Sequence, residues 1–178
     1  DYAKTNILEN LNLESTRPEI IKILDCQYIL VVGSLLPHKN IRGVILAINL
    51  MFEKTSLRPY LIFAGNKGWH SETDNIIESH PRYNQLIHVF HSVSDQELDL
   101  LYRNCYCLVQ GSLYEGYGLP VVEAMQYHKP VICSNSGSLP EVGGDFCLYF
   151  DPYKSEELYQ ALVSLLDSVD QYTQIVQN

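Results

Sequence analysis

Several signatures are missing from this chain, and each absence removes a function class. There is no Gly-Lys-Ser or Gly-Lys-Thr and no G-x-G-x-x-G after the first apolar run, so neither a Walker loop nor a dinucleotide fingerprint is present. No G-x-S-x-G elbow occurs, which removes the usual serine-hydrolase arrangement. None of the six histidines stands in H-x-x-x-H or H-x-H spacing with a nearby acid, so no metal site is expected. Apolar runs all fall short of the roughly 18 residues that cross a bilayer. Residues 1–12 lack the basic-then-apolar order of a signal peptide. Positive charge is scarce: 12 Lys and Arg stand against 21 Asp and Glu, a formal charge of −9. That balance argues against a general nucleic-acid surface. An anionic ligand would then need a locally placed cation, since distant acids are screened beyond about 8 Å.

The five cysteines, Cys26, Cys105, Cys107, Cys133 and Cys147, are odd in number and include no C-x-x-C pair. They read as small buried hydrophobes in a reducing compartment, and a cytoplasmic location is expected. The spacing of Cys105 and Cys107 suits same-face packing on one strand. The chain has 178 residues, 46% of them hydrophobic, enough for one domain with a sizeable core. It carries no initiator Met and is expected to be a fragment of something longer.

Residues 1–27 are polar and weakly patterned, and read as a linker or a short appended helix. A rhythm begins at Tyr28. Continuous apolar runs at 28–32, 60–64, 86–90, 106–109, 130–133 and 147–150 alternate with helical stretches, the last of them capped by Ser155. Unbroken short apolar runs between helices indicate a parallel sheet covered on both faces. The expected fold is doubly wound α/β, Rossmann-like, with about six strands, over residues 28–178. In such sheets the loops leaving the carboxyl ends of the strands share one rim, where ligands bind.

The most informative stretch on that rim is Glu115-Gly116-Tyr117-Gly118-Leu119-Pro120-Val121-Val122-Glu123. Pro120 is suited to the opening of a helix, and small residues before a helix start favour an anion. Two acids flanking such a site would repel a bare phosphate. A ligand carrying both phosphate and hydroxyls resolves the conflict, and nucleotide-sugars have that chemistry. Lys39, before a helix beginning near Ile41, is placed to reach a diphosphate across the rim. Glu123, in the first turn of its helix, could accept from ribose hydroxyls or simply complement the helix dipole. Paired glutamates also occur in glycoside hydrolases, but there they flank a bond from opposite sides, whereas these share one loop and the following helix. Ser94 and Glu97 form a capping-box pair ahead of a helix over 95–103, and Ser138 reads as a cap in the turn at Gly137.

Taken in order, the segments Val31–Asn40, Phe90–Leu98, Glu115–Met125, Gly137–Val142 and Phe150–Pro152 resemble the C-terminal, donor-binding domain of the retaining family-4 glycosyltransferases, which have the two-domain GT-B architecture. The resemblance covers residues 28–166. It implies that Lys39 neutralises the diphosphate and that Glu115 contacts donor-sugar hydroxyls near the anomeric carbon, the two forming the catalytic pair. By the same resemblance Glu123 holds the ribose. Gly33, Ser34, Gly116, Tyr117, Gly118 and Leu119 touch sugar and phosphate, and Val93 and Ser94 meet the base. Many relatives carry Arg at the position of Ser34, and partial replacement by His38 or Arg42 is expected. The family needs no metal and no cofactor. The implied activity is transfer of a hexose from a nucleotide-diphosphate sugar, with a lean to GDP-mannose, to a saccharide or lipid-linked acceptor. The implied partner is an N-terminal acceptor-binding domain, and peripheral membrane association of the whole enzyme stays open. A return helix after Asn178 is expected to be cut off, and the fragment alone to transfer little or no sugar. The alternatives are a sugar-nucleotide epimerase-like enzyme and a non-catalytic nucleotide-binding domain.

Overall fold

A computed structural model describes residues 15–68 and 71–167. Six parallel strands form one sheet: β1 (Tyr28–Val32), β2 (Tyr60–Ala64), β3 (Ile87–Phe90), β4 (Cys107–Gln110), β5 (Val131–Ser134) and β6 (Cys147–Phe150). Their spatial order is β3-β2-β1-β4-β5-β6. The expected doubly wound sheet is therefore present, and its order reverses between β1 and β4. In open α/β sheets such a reversal is the topological switch point, at whose carboxyl ends ligands bind.

Seven helices are described: α1 (Pro18–Leu24), α2 (Ile41–Lys54), α3 (Ser71–Glu78), α4 (Asp95–Asn104), α5 (Leu119–Gln126), α6 (Leu139–Gly143) and α7 (Ser155–Asp167). The central strands are apolar throughout because both sheet faces are covered. Alternate residues feed two cores. Ile29, Val31, Leu61, Phe63, Cys107 and Val109 pack with Val44, Ile48 and Met51 of α2 and with Leu158 and Leu162 of α7. Tyr28, Leu30, Val32, Ile62 and Leu108 pack with residues of α1, α4, α5 and α6.

Three local expectations need correction. Cys105 is not on a strand with Cys107; it terminates α4 and packs in the opposite core, because β4 starts only at Cys107. Ser155 is the first residue of α7 rather than a residue before it. The hydroxyl of Ser138 makes no cap bond and turns instead to the carbonyl of Glu115. Residues 18–24 of the polar N-terminal stretch form α1, whose Ile20, Ile23 and Leu24 are buried against the α4 side of the sheet. Residues 1–14 lie outside the described part.

Candidate functional site at the sheet switch point

The site is assembled by the loops after β1 and β4. The β1 loop turns at Gly33 (φ 125°), and its peptide N–H donates to the carbonyl of Ala64 at 3.0 Å. Gly65 permits this close approach: a Cβ there would stand 1.9 Å from the carbonyl oxygen of Gly33. A single 3-10 turn over Pro37–Lys39 then lifts Lys39 back across Gly33. A Cβ on Gly33 would meet Lys39 Cε and Nζ at 3.4 Å.

The β4 loop is clamped from both sides. Leu113 donates its N–H to the carbonyl of His38 at 2.7 Å. The hydroxyls of Ser134, Ser136 and Ser138 donate to the carbonyls of Ser112, Leu113 and Glu115. Gly137 lies so close beneath that a Cβ would meet the Glu115 carbonyl at 2.9 Å. The backbone of Glu115 is thus fixed before any ligand arrives, which is what a positioned carboxylate requires.

Three donors converge on one oxygen of that carboxylate. Glu115 Oε1 accepts from Lys39 Nζ at 2.5 Å, Gln110 Nε2 at 2.5 Å and Ser112 Oγ at 2.7 Å. Burial pushes the carboxyl up, but the bonds from Lys39 and Ser112, the Lys39 charge and the bond from Gln110 outweigh it, so Glu115 stays below its ordinary value. It is held ionised against its cation. The amide oxygen of Gln110 is buried with no partner among the described residues.

Glu123 stands on α5, half-buried, and accepts from the hydroxyl of Tyr102 on α4 at 2.6 Å. Tyr102 is buried, and its phenol is raised first by that burial and then by the carboxylate beside it. Its ring stacks on Tyr127 at 5.3 Å and 6°, and Tyr127 in turn donates to Asp99. Glu123 is therefore joined to the neighbouring helix, which supplies it with an orienting donor, and its other oxygen takes no bond within the described residues.

The third part is a cavity of about 230 Å³ lined by Gly33, Ser34, Gly65, Asn66, Ser92, Val93 and Leu98. Val93 and Ser34 thus face one hollow. Ser94 caps α4 and shares the capping box with Glu97, which occupies its hydroxyl. Gly116, Tyr117 and Leu119 are exposed on the rim, while Gly118 is buried and stands as the N-cap of α5 in the left-handed conformation. Pro120 takes the second position of α5, after Leu119.

The residues named from sequence are therefore brought together unevenly. Lys39 lies over Gly33 and bonds Glu115; Ser34 and Val93 share a wall; Glu123 is bonded to Tyr102. Arg42 does not stand in for the missing arginine. It lines a separate hollow of about 550 Å³ between α2 and α3, with Leu46, Ile76 and His80, because it lies on the α3-facing side of α2. His38 contributes its carbonyl to the β4 loop. Sequence reasoning missed Tyr102, Gln110, Ser112 and Arg17. Only Gln110 carried a signal, as an amide closing an otherwise apolar strand run. Among the described residues no group of three His, Cys, Asp or Glu could hold a metal ion, and no helix is long and apolar enough to cross a membrane.

Known proteins are similar to this chain in sequence or in fold. The O-antigen chain mannosyltransferase B of Escherichia coli is 40% identical over 126 residues, which is 70% of this chain and 33% of that protein. The chain thus spans about a third of the length of this curated relative. Among solved structures, the Anabaena protein HepE, in complex with UDP and glucose, superposes with a TM-score of 0.73 at 20% identity, over 92% of this chain and 47% of that one. The C-terminal domain of the group 1 glycosyl transferase LpcC from Francisella tularensis gives 0.70 at 20% identity, over 92% and 89%. These two likenesses concern the fold. The sequence profile described as Glycosyl transferases group 1 matches residues 14–178, nearly the whole chain, and on that ground the chain belongs to this glycosyltransferase family.

Proposed function

We propose that this chain is the donor-binding, C-terminal half of a retaining, metal-independent mannosyltransferase of family 4. In this reading it holds GDP-mannose while an N-terminal domain presents a saccharide or lipid-linked acceptor, in the cytoplasm. The observation that carries the reading is the Lys39–Glu115 contact over Gly33, at the point where the sheet order reverses. It joins one cation, suited to a phosphate, to one carboxylate, suited to sugar hydroxyls.

In this reading the residues divide the work as follows. Departure of the nucleotide builds negative charge on the diphosphate, and Lys39 turns from Glu115 to meet it. The positive end of the α5 dipole adds to this. Glu115, released from Lys39 but still held by Gln110 and Ser112, accepts from mannose hydroxyls. Glu123, oriented by Tyr102, accepts from the ribose. The nucleobase lies in the cavity beside Val93. Mannose as the sugar is supported by the name of the Escherichia coli relative. A C-terminal position is supported by the extent to which the chain matches the LpcC domain.

Titration calorimetry with GDP, UDP and ADP tests this. GDP is expected to bind tightest, and Glu123→Ala to weaken it by about 1–3 kcal/mol, the range for hydrogen bonds to a charged group. The chain alone is expected to transfer little or no mannose. Failure of all three nucleotides to bind would overturn the reading.

A further inference from the structure

The loop His91–Ser94 is anchored from a distance. Arg17, just before α1, donates Nε to Glu97 Oε1 at 2.8 Å and Nη2 to Glu97 Oε2 at 2.9 Å. Its backbone N–H reaches the same Oε1 at 3.1 Å, and its remaining nitrogen, Nη1, donates to the carbonyl of His91 at 2.9 Å. The guanidinium also lies 5.6 Å above the ring of Phe90, at the end of β3. Glu97 is buried and accepts from the backbone N–H of Ser94. One Arg–Glu unit therefore grips both ends of the loop, His91 at its start and Ser94 at its finish. Between those ends, Ser92 is held in the left-handed region (φ 50°) by a bond from its N–H to Asn66 Oδ1. The ring of His91 meets the carbonyl of Gly65 at 2.9 Å. Val93 stands between the anchors and lines the cavity with Gly33 and Ser34.

A capping box needs only Ser94 and Glu97. The bond to His91 is additional, and it acts on the loop rather than on the helix. It also demands a planar fork, which lysine does not have. We propose that Arg17 is a positioning residue for nucleobase recognition: it sets the His91–Ser94 loop against the cavity, and so ties the segment that enters the domain to the base end of the donor site. This rests on the reading of that cavity as the nucleobase pocket.

The test uses the chain as it stands, with Arg17→Lys and Arg17→Ala. Thermal unfolding first establishes that each variant folds. Binding of GDP and of inorganic pyrophosphate, which has no base, is then measured, together with amide exchange at Ser92 and Val93 without ligand. Arg17→Lys is expected to bind GDP about tenfold more weakly, with pyrophosphate affinity unchanged and faster exchange at both amides. Wild-type GDP affinity in both variants, or an equal loss for GDP and pyrophosphate, would overturn the proposal and leave the nucleotide reading intact. A wild-type chain that binds pyrophosphate but no nucleoside diphosphate would overturn the nucleobase reading itself, and the proposal with it.

Discussion

Replacing Glu115 by Gln should tighten GDP binding while abolishing sugar transfer by the whole enzyme. In the ligand-free chain Lys39 is engaged: its Nζ lies 2.5 Å from Glu115 Oε1, and the two side chains are only 16% and 11% exposed. Two unit charges about 4 Å apart attract by about 4 kcal/mol at an effective dielectric constant near 20. Desolvation offsets much of that, so the net pair contributes about 1–2 kcal/mol. On the proposed reading, a diphosphate draws Lys39 out of this pair before using it. Glutamine removes the competing charge and also the repulsion between the acid and the phosphate, and it can still accept from Ser112. Both changes act in one direction. At about 1.4 kcal/mol per tenfold, Glu115→Gln is expected to bind GDP about five- to tenfold more tightly. GDP-mannose should gain less, because its hexose loses the carboxylate. Calorimetry at two salt concentrations measures this, and the gain should shrink with added salt. A GDP affinity that falls severalfold in Glu115→Gln would refute the competition between carboxylate and phosphate for Lys39.

Tyr102→Phe removes the donor that orients Glu123 and is expected to weaken GDP binding by about 1 kcal/mol while leaving pyrophosphate binding unchanged. Glu97, bonded first of all to Arg17, is depressed from 4.5 to about 2. A carboxyl depressed in the folded state stabilises above its unfolded pKa, and that contribution disappears as pH falls through its folded one. Chemical denaturation should therefore show stability dropping between about pH 4.5 and pH 2, by about 1–3 kcal/mol once the exposed side of Arg17 is discounted, with Glu97→Gln flattening that part of the profile. Ile20→Ala, in a fully buried position of α1, should cost about 2–4 kcal/mol in the same denaturation experiment; a cost near zero would mean that α1 is not part of the core.

The fold was legible because burial on both faces leaves a local mark. Tyr28–Val32 and Tyr60–Ala64 read as strands from unbroken apolar runs closed by glycine, and they are paired in register from Tyr28–Tyr60 to Val32–Ala64. Ser94 and Glu97 announced their helix start through a spacing that the capping geometry dictates. The meeting of Lys39 and Glu115 was legible only through topology, since 76 positions separate them and only a shared sheet rim brings them together. What the sequence withheld depends on contacts between distant segments. Tyr102 resembled any apolar-face tyrosine until its hydroxyl was seen on Glu123. Arg17 lay in a stretch without periodicity, and its value comes from partners 74 and 80 residues away. Arg42 misled for the opposite reason: it is near Lys39 in sequence, but the helical turn aims it at α3.

Lys39, Glu115 and Glu123 are proposed to serve a single nucleotide-sugar. A crystal structure of this chain with GDP-mannose measures it most directly. The diphosphate is expected on Lys39 beside Gly33, the ribose on Glu123 and the mannose beside Glu115. A nucleotide seated in the α2–α3 hollow beside Arg42 and His80, with Lys39 still bonded to Glu115, would contradict it.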